Sequence, residues 1–335
     1  MAHPQALKFL QPGWYAVPMG LSGLALAWWR ATPLMGEMAT GLALVIGCLA
    51  AAVFALLLWG SARRLQRHPE AWAEDRRHPV RQAFIAALPM SALLLATLAA
   101  LLGWTAAPVQ LLWWAGALGQ LWVTLWLMGR WWRPAAQGGI GWPAVTPGLF
   151  IPVVGNILAP LGGVPLGHEL WSAAQFGIGL LFWPVVLVLL LARLIVQGPL
   201  AERLLPTAFI LISPPALAGL GALALGAPPL LAWLCWGMAA FTLAWVAHAL
   251  AGRLRTLPFG LTHWAMSFPL AALASLTLAL AALNPGGAMA VVAPLLLAFA
   301  SLVILALSMG TVRGLRDGTL LAPEPVAPII PVTAA

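Results

Sequence analysis

Long apolar runs alternate with short polar breaks along this chain, and the runs are apolar on every side. Ten windows of this kind occur, at residues 14–29, 41–59, 83–102, 109–128, 148–166, 170–192, 204–225, 230–250, 261–283 and 289–309. Most approach the roughly 20 residues that a helix needs to cross a bilayer. The pattern predicts an all-α polytopic membrane protein with ten transmembrane helices. Residues 1–335 read as a single transmembrane domain. Composition agrees, because the chain is 62% hydrophobic and only 7% charged. A soluble domain of this size needs far more charge to cover its surface.

The basic residues fall in the polar breaks. Arg63, Arg64, Arg67, Arg76, Arg77 and Arg81 follow the second run, Arg130 and Arg133 the fourth, and Arg193 and Arg203 the sixth. Arg253 and Arg255 follow the eighth, Arg313 and Arg316 the tenth, and Lys8 precedes the first. With ten crossings, fifteen of the sixteen Lys and Arg residues share one face and only Arg30 lies opposite. Short loops rich in Lys and Arg face the cytoplasm. The expected topology is therefore a multi-pass inner-membrane protein with both termini cytoplasmic. The net charge of +8 is a topology signal of this kind, and no nucleic-acid partner is expected. The segment before the first run has neither an apolar h-region nor an A-x-A-like site, so no cleaved signal peptide is expected.

Prolines divide the runs into two sets. The odd runs carry Pro18, Pro89, Pro152, Pro214 with Pro215, and Pro269, at intervals of 55 to 71 residues (269−214 and 89−18). In the even runs Pro184 and Pro294 are the exceptions. An aromatic precedes each odd-run proline: Tyr15, Phe84, Phe150, Phe209 and Phe268. A proline inside a helix removes a hydrogen bond and kinks the axis. The spacing predicts five helical hairpins, each with a broken first helix and a straight second one. Broken helices are tolerated at membrane depth only where the freed backbone is buried in protein or faces water. The odd helices should then gather around a central pore, with the even helices outside against lipid or neighbouring subunits.

Little in the sequence suggests catalysis. His3, His68, His78, His168, His248 and His263 form no ligand-spaced pair, and H-E-x-x-H, P-loop and G-x-S-x-G motifs are absent. Neither an enzyme activity nor a cofactor or metal is expected. Cys48 and Cys235 read as small core residues. The odd runs hold no Asp, Glu or His apart from His263 near the start of the ninth, where an interfacial role is expected; this argues against a proton relay, and no acidic ring is present to draw cations. Their polar groups are Ser91, Asn156, Ser213 and Ser267. Hydroxyl and amide donors suit anions, although a lone serine is more often bonded back onto its own helix than a pore ligand. His168-Glu169 reads as an outer-loop pair that steadies its turn, and the tryptophans as an interfacial belt.

Several motifs together resemble a known family. Gly13-Trp14-Tyr15-Ala16-Val17-Pro18-Met19-Gly20 is similar to the opening helix of the bacterial TehA proteins. His78-Pro79-Val80-Arg81 with Phe84 and Pro89, Phe150-Ile151-Pro152 with Asn156, Gly167-His168-Glu169-Leu170, and Trp264-Ala265-Met266-Ser267-Phe268-Pro269 follow in the family's order. The resemblance runs over about residues 13–312 and points to the tellurite-resistance/dicarboxylate transporter superfamily, which includes slow-type anion channels. It implies five hairpins around a pore closed by a phenylalanine of the ninth helix, here Phe268. The pore lining would include Tyr15, Pro18, Phe84, Pro89, Ser91, Phe150, Pro152, Asn156, Phe209, Ser213, Pro214, Ser267 and Pro269. It also implies a homotrimer and small inorganic or organic anions as substrates. A passive anion channel is the expected function, favoured by the uncharged odd runs; a secondary carrier or exporter of C4-dicarboxylate, sulfite or tellurite-related oxyanions is the alternative, and a non-transporting scaffold or sensor a third reading. The double proline at Pro214-Pro215 departs from the family pattern, and the long regulatory tails of the plant channels are missing.

Overall fold

A computed structural model describes residues 6–322; His3 and both chain ends lie outside them. The described residues form helices and turns, with no strand. In chain order the helices are α1 (Ala16–Arg30), α2 (Thr32–Met35), α3 (Glu37–Arg67), α4 (Pro69–Arg77) and α5 (Arg81–Phe84). Next come α6 (Ala87–Leu101), α7 (Ala107–Gly129), α8 (Phe150–Val154), α9 (Ala159–Gly163) and α10 (Glu169–Gln197). The last four are α11 (Ser213–Ala224), α12 (Pro229–Leu254), α13 (Ser267–Leu283) and α14 (Met289–Arg316). Eight helical segments among the described residues are long and apolar enough to cross a membrane. The first expected span is the 15-residue α1, preceded by a 3-10 turn at Pro12–Tyr15. The fifth is not one helix: it splits into α8 and α9, five residues each.

The odd-run prolines do not interrupt α-helices mid-span. Pro18, Pro89, Pro152, Pro215 and Pro269 are each the third residue of an α-helix, with Pro214 second in α11. A 3-10 segment leads directly into α1, α8, α11 and α13, while the separate turn α5 precedes α6. Proline is tolerated in the first turn of an α-helix, where its fixed φ suits the entry of the chain. The prolines mark a change of helical pitch in four odd spans and a break between two α-helices in the third. This corrects the expectation of simple kinks.

Burial separates the two sets of helices. In the apolar windows of Arg81–Leu101, Glu202–Ala224 and Leu261–Leu283, 78% of residues are buried, against 17 to 39% in the other five. α1, α8 and α9 are also almost wholly buried. The even helices bury one stripe only. In α3 it is Ala39, Ala43, Gly47, Ala50, Phe54, Leu57, Gly60 and Arg64, and in α14 it runs from Met289 through Ala293, Leu297, Ala300, Ile304 and Leu307. Steps of three and four residues put these on one helical face, and its small side chains let the helix approach the core closely. The opposite faces are large and exposed, as with Val45, Leu49 and Leu56 on α3 and Val291, Leu295 and Leu302 on α14. Cys48, expected in the core, also lies exposed.

Neighbours in sequence pack as pairs: α1 with α3, α6 with α7, α8 and α9 with α10, α11 with α12, and α13 with α14. The buried helices also contact each other in a circuit, α1 to α6, α6 to α9, α9 to α11, α11 to α13, and α13 back to α1. At the basic end, the buried Asp75 of α4 accepts Arg64 at 2.5 Å and Arg81 at 3.4 Å. Arg64 Nε also donates to the Lys8 carbonyl at 2.9 Å. These bonds tie the chain entry, α3 and α4 together.

Candidate functional site

The circuit of buried helices encloses a small cavity. Every member contributes a wall: Gly23 and Arg30 from α1, Thr97 from α6, Leu161 from α9, Leu220 from α11, and Phe268 and Ser275 from α13. The space open to water centres is about 20 Å³, room for one water and little more. Half of its wall is leucine, and it has no carboxylate. Thr97 Oγ1 donates to its own helix at Leu93, 2.7 Å away, so Arg30 contributes the one charge. The single basic residue that falls on the far face in the sequence thus borders this cavity.

Phe268 is 3% exposed and packs on α1. Gly23 makes the fit possible, because a Cβ there would lie 2.8 Å from Phe268 Cδ2. Gly20, one turn earlier, faces the Ser267 hydroxyl more closely still. Two glycines three residues apart let the first turn of α13 rest on the backbone of α1.

The other expected lining residues have different surroundings. Tyr15 donates its hydroxyl to Ser61 at 3.0 Å and meets Phe54 edge to face at 6.0 Å. Ser91 donates to the carbonyls of Ala87 (2.7 Å) and Tyr15 (3.1 Å), and Ser267 to Trp264 at 2.6 Å. Pro18, Phe150, Pro152, Phe209, Pro214 and Pro269 are buried at or near the 3-10 to α junctions, and Phe84 and Pro89 at the break between α5 and α6. Ser213 is buried with a hydroxyl that lacks a protein partner. Phe268 is the member of the expected set that borders the cavity.

Asn156 belongs to a buried polar network. Its Nδ2 donates to Thr124 Oγ1 at 2.8 Å and to the Pro152 carbonyl at 3.1 Å, while its Oδ1 accepts from Gln175 Nε2 at 3.0 Å. Gln120 of α7 donates to the carbonyls of Ile151 (3.0 Å) and Pro152 (2.8 Å), and Thr124 donates to Pro152 at 2.6 Å. The broken α8–α9 segment is satisfied by side chains of α7 and α10, which answers the need for partners at buried carbonyls. Sequence reasoning passed over Gln120, Thr124 and Gln175. The signal was an amide deep inside each of two otherwise apolar runs, Gln120 and Gln175. His168, expected to pair with Glu169, instead bonds Gln110 at 2.6 Å and stacks on Trp113.

A ring of buried helices around a small apolar cavity, inside a shell of exposed apolar helices, defines a multi-pass membrane protein. The chain belongs to the voltage-dependent anion channel (SLAC1) family, whose model matches residues 10–312. It is similar to the Tellurite resistance protein TehA homolog of Haemophilus influenzae, 28% identical over 271 residues, covering 79% of this chain and 80% of that protein. It is also similar to an uncharacterized transporter of Methanocaldococcus jannaschii, 27% identical over 297 residues, covering 79% and 82% of the two chains.

Proposed function

We propose that this chain is a passive anion channel, with its pore along the cavity between α1, α6, α9, α11 and α13 and the Phe268 ring as the plug. The observation that carries the reading is the lining itself. All five proline-bearing spans border one narrow apolar cavity that includes Phe268, one arginine and no acid. An apolar constriction blocks ions by excluding water, and removing one ring widens it. A lone guanidinium beside that constriction attracts anions and repels cations. The reading takes ten crossings arranged as five hairpins, with the arginine-rich end and both termini in the cytoplasm. It takes a homotrimer assembled through the exposed faces of the even helices, one pore per subunit. Its substrates are small anions such as chloride, nitrate, sulfite or malate. The secondary-carrier reading has less support, because no Asp, Glu or His borders the cavity to couple a proton.

The test is Phe268→Ala recorded in planar bilayers or oocytes, with expression measured alongside. A rise in anion current is expected; unchanged current at normal expression refutes the plug. Liposome flux with and without a pH gradient separates channel from carrier, since acceleration by the gradient indicates coupling. A reversal-potential series across the four anions then ranks the substrates.

A further inference from the structure

We propose that the hollow between α4 and the end of α7 binds a phosphate-bearing anion, the headgroup of an acidic membrane phospholipid. The hollow measures about 320 Å³ and lies at the basic end of the bundle. Arg76 and Arg77 enter it from α4, Arg130 and Arg133 from the turn after α7, and Leu125 and Trp126 form an apolar wall. Four guanidiniums around one space repel each other, and no carboxylate relieves them. Asp75 is engaged by Arg64 and Arg81, and Glu70 lies against His68. Among the described residues, none of the four arginines has an ion-pair partner.

The site is built in advance of any ligand. Arg130 Nε donates to the Gly138 carbonyl at 2.7 Å, and its Nη1 donates to the Arg76 carbonyl at 2.9 Å and to Gln82 Oε1. Its guanidinium lies 5.6 Å over the Trp126 ring. Arg130 therefore holds the two walls together, while Arg76, Arg77 and Arg133 are exposed, Arg76 lying 5.9 Å over the Trp72 ring, a contact that leaves its N–H donors to a ligand. Planar guanidinium forks match phosphate oxygens. The source follows from the apolar wall. Leu125 is 65% and Trp122 58% exposed, one turn apart on the same helix, so an apolar strip leads away from the arginines. A phospholipid would use both parts, its phosphate among the arginines and its acyl chains along the strip. A free phosphate ion would use only the first. The site stands whether or not the chain conducts.

The experiment is native mass spectrometry of the full chain titrated with phosphatidylglycerol or phosphatidylcholine, with a parallel thermal-shift series in inorganic phosphate. The wild type is compared with R76Q/R133Q and with R255Q, an exposed arginine of the same end outside the hollow. Circular dichroism in phosphatidylcholine establishes that each variant is folded. Retention of phosphatidylglycerol over phosphatidylcholine is expected for the wild type and R255Q. Loss of two charges at the headgroup should weaken it about 30-fold in R76Q/R133Q. Equal retention by R76Q/R133Q and the wild type, or an equal loss in R255Q, overturns the site. Protection by inorganic phosphate that matches the lipid and vanishes in R76Q/R133Q overturns the lipid source.

Discussion

Replacing Gly23 by alanine puts a methyl carbon 2.8 Å from Phe268 Cδ2 and 3.4 Å from the Ala271 Cβ. Ordinary contact begins at 3.4 Å, so the ring must retreat by 0.6 Å (3.4−2.8) while Ala271 need not move. Overpacking of this kind in a tight interior costs about 1–3 kcal/mol. Against it stands the gain of alanine over glycine within a helix, about 0.5–1 kcal/mol. Gly23→Ala alone should therefore destabilise by roughly 0–2.5 kcal/mol, the difference of those two ranges. In a Phe268→Ala background the clashing ring is absent, and the same substitution should stabilise by about 0.5–1 kcal/mol. The coupling between the two sites is then about 1–3 kcal/mol, the overpacking term itself. It is measured as a double-mutant cycle by equilibrium unfolding in mixed micelles, followed by circular dichroism. Additivity within about 0.5 kcal/mol would refute the claim that Phe268 rests on Gly23. Every inference that places the ring against α1 would fall with it.

Two further outcomes follow from the same geometry. Asn156→Leu removes a donor to Thr124 and Pro152 and the acceptor for Gln175. It should destabilise the fold by about 1–3 kcal/mol in the same unfolding assay, and a change in anion selectivity at unchanged stability would contradict its placement in the network. Arg30→Gln, made in the Phe268→Ala background, should lower anion current and its selectivity over cations, with the loss shrinking at high salt as screening replaces the missing charge. Equal current and reversal potential in both would remove Arg30 from the conduction path.

The division of the chain into odd and even runs was legible because proline is a backbone signal that apolar surroundings cannot hide. Its meaning was read too simply. A proline in an apolar run suggests a kink, yet Pro18, Pro89, Pro152 and Pro269 each stand third in an α-helix, in the first turn where proline is tolerated. Whether residues upstream adopt a tighter helix depends on what packs against them. The stripe on α3 was hidden for another reason. Both of its faces are apolar, so hydrophobic periodicity is silent, and side-chain size alone separates Ala43 and Gly47 from Val45 and Leu49.

By itself the sequence determined the membrane class, the apolar segments and the gathering of fifteen basic residues into one set of loops. These follow from transfer of side chains between water and lipid, which composition and local order encode. The tertiary structure decided which residues meet. It brought Arg30, Gly23 and Phe268 to one cavity from runs more than two hundred residues apart, and it drew Asn156 into a network with Gln120, Thr124 and Gln175. Contacts of that kind depend on close packing and on satisfying buried polar groups across neighbouring helices. Neither is written in the order of residues along any single run.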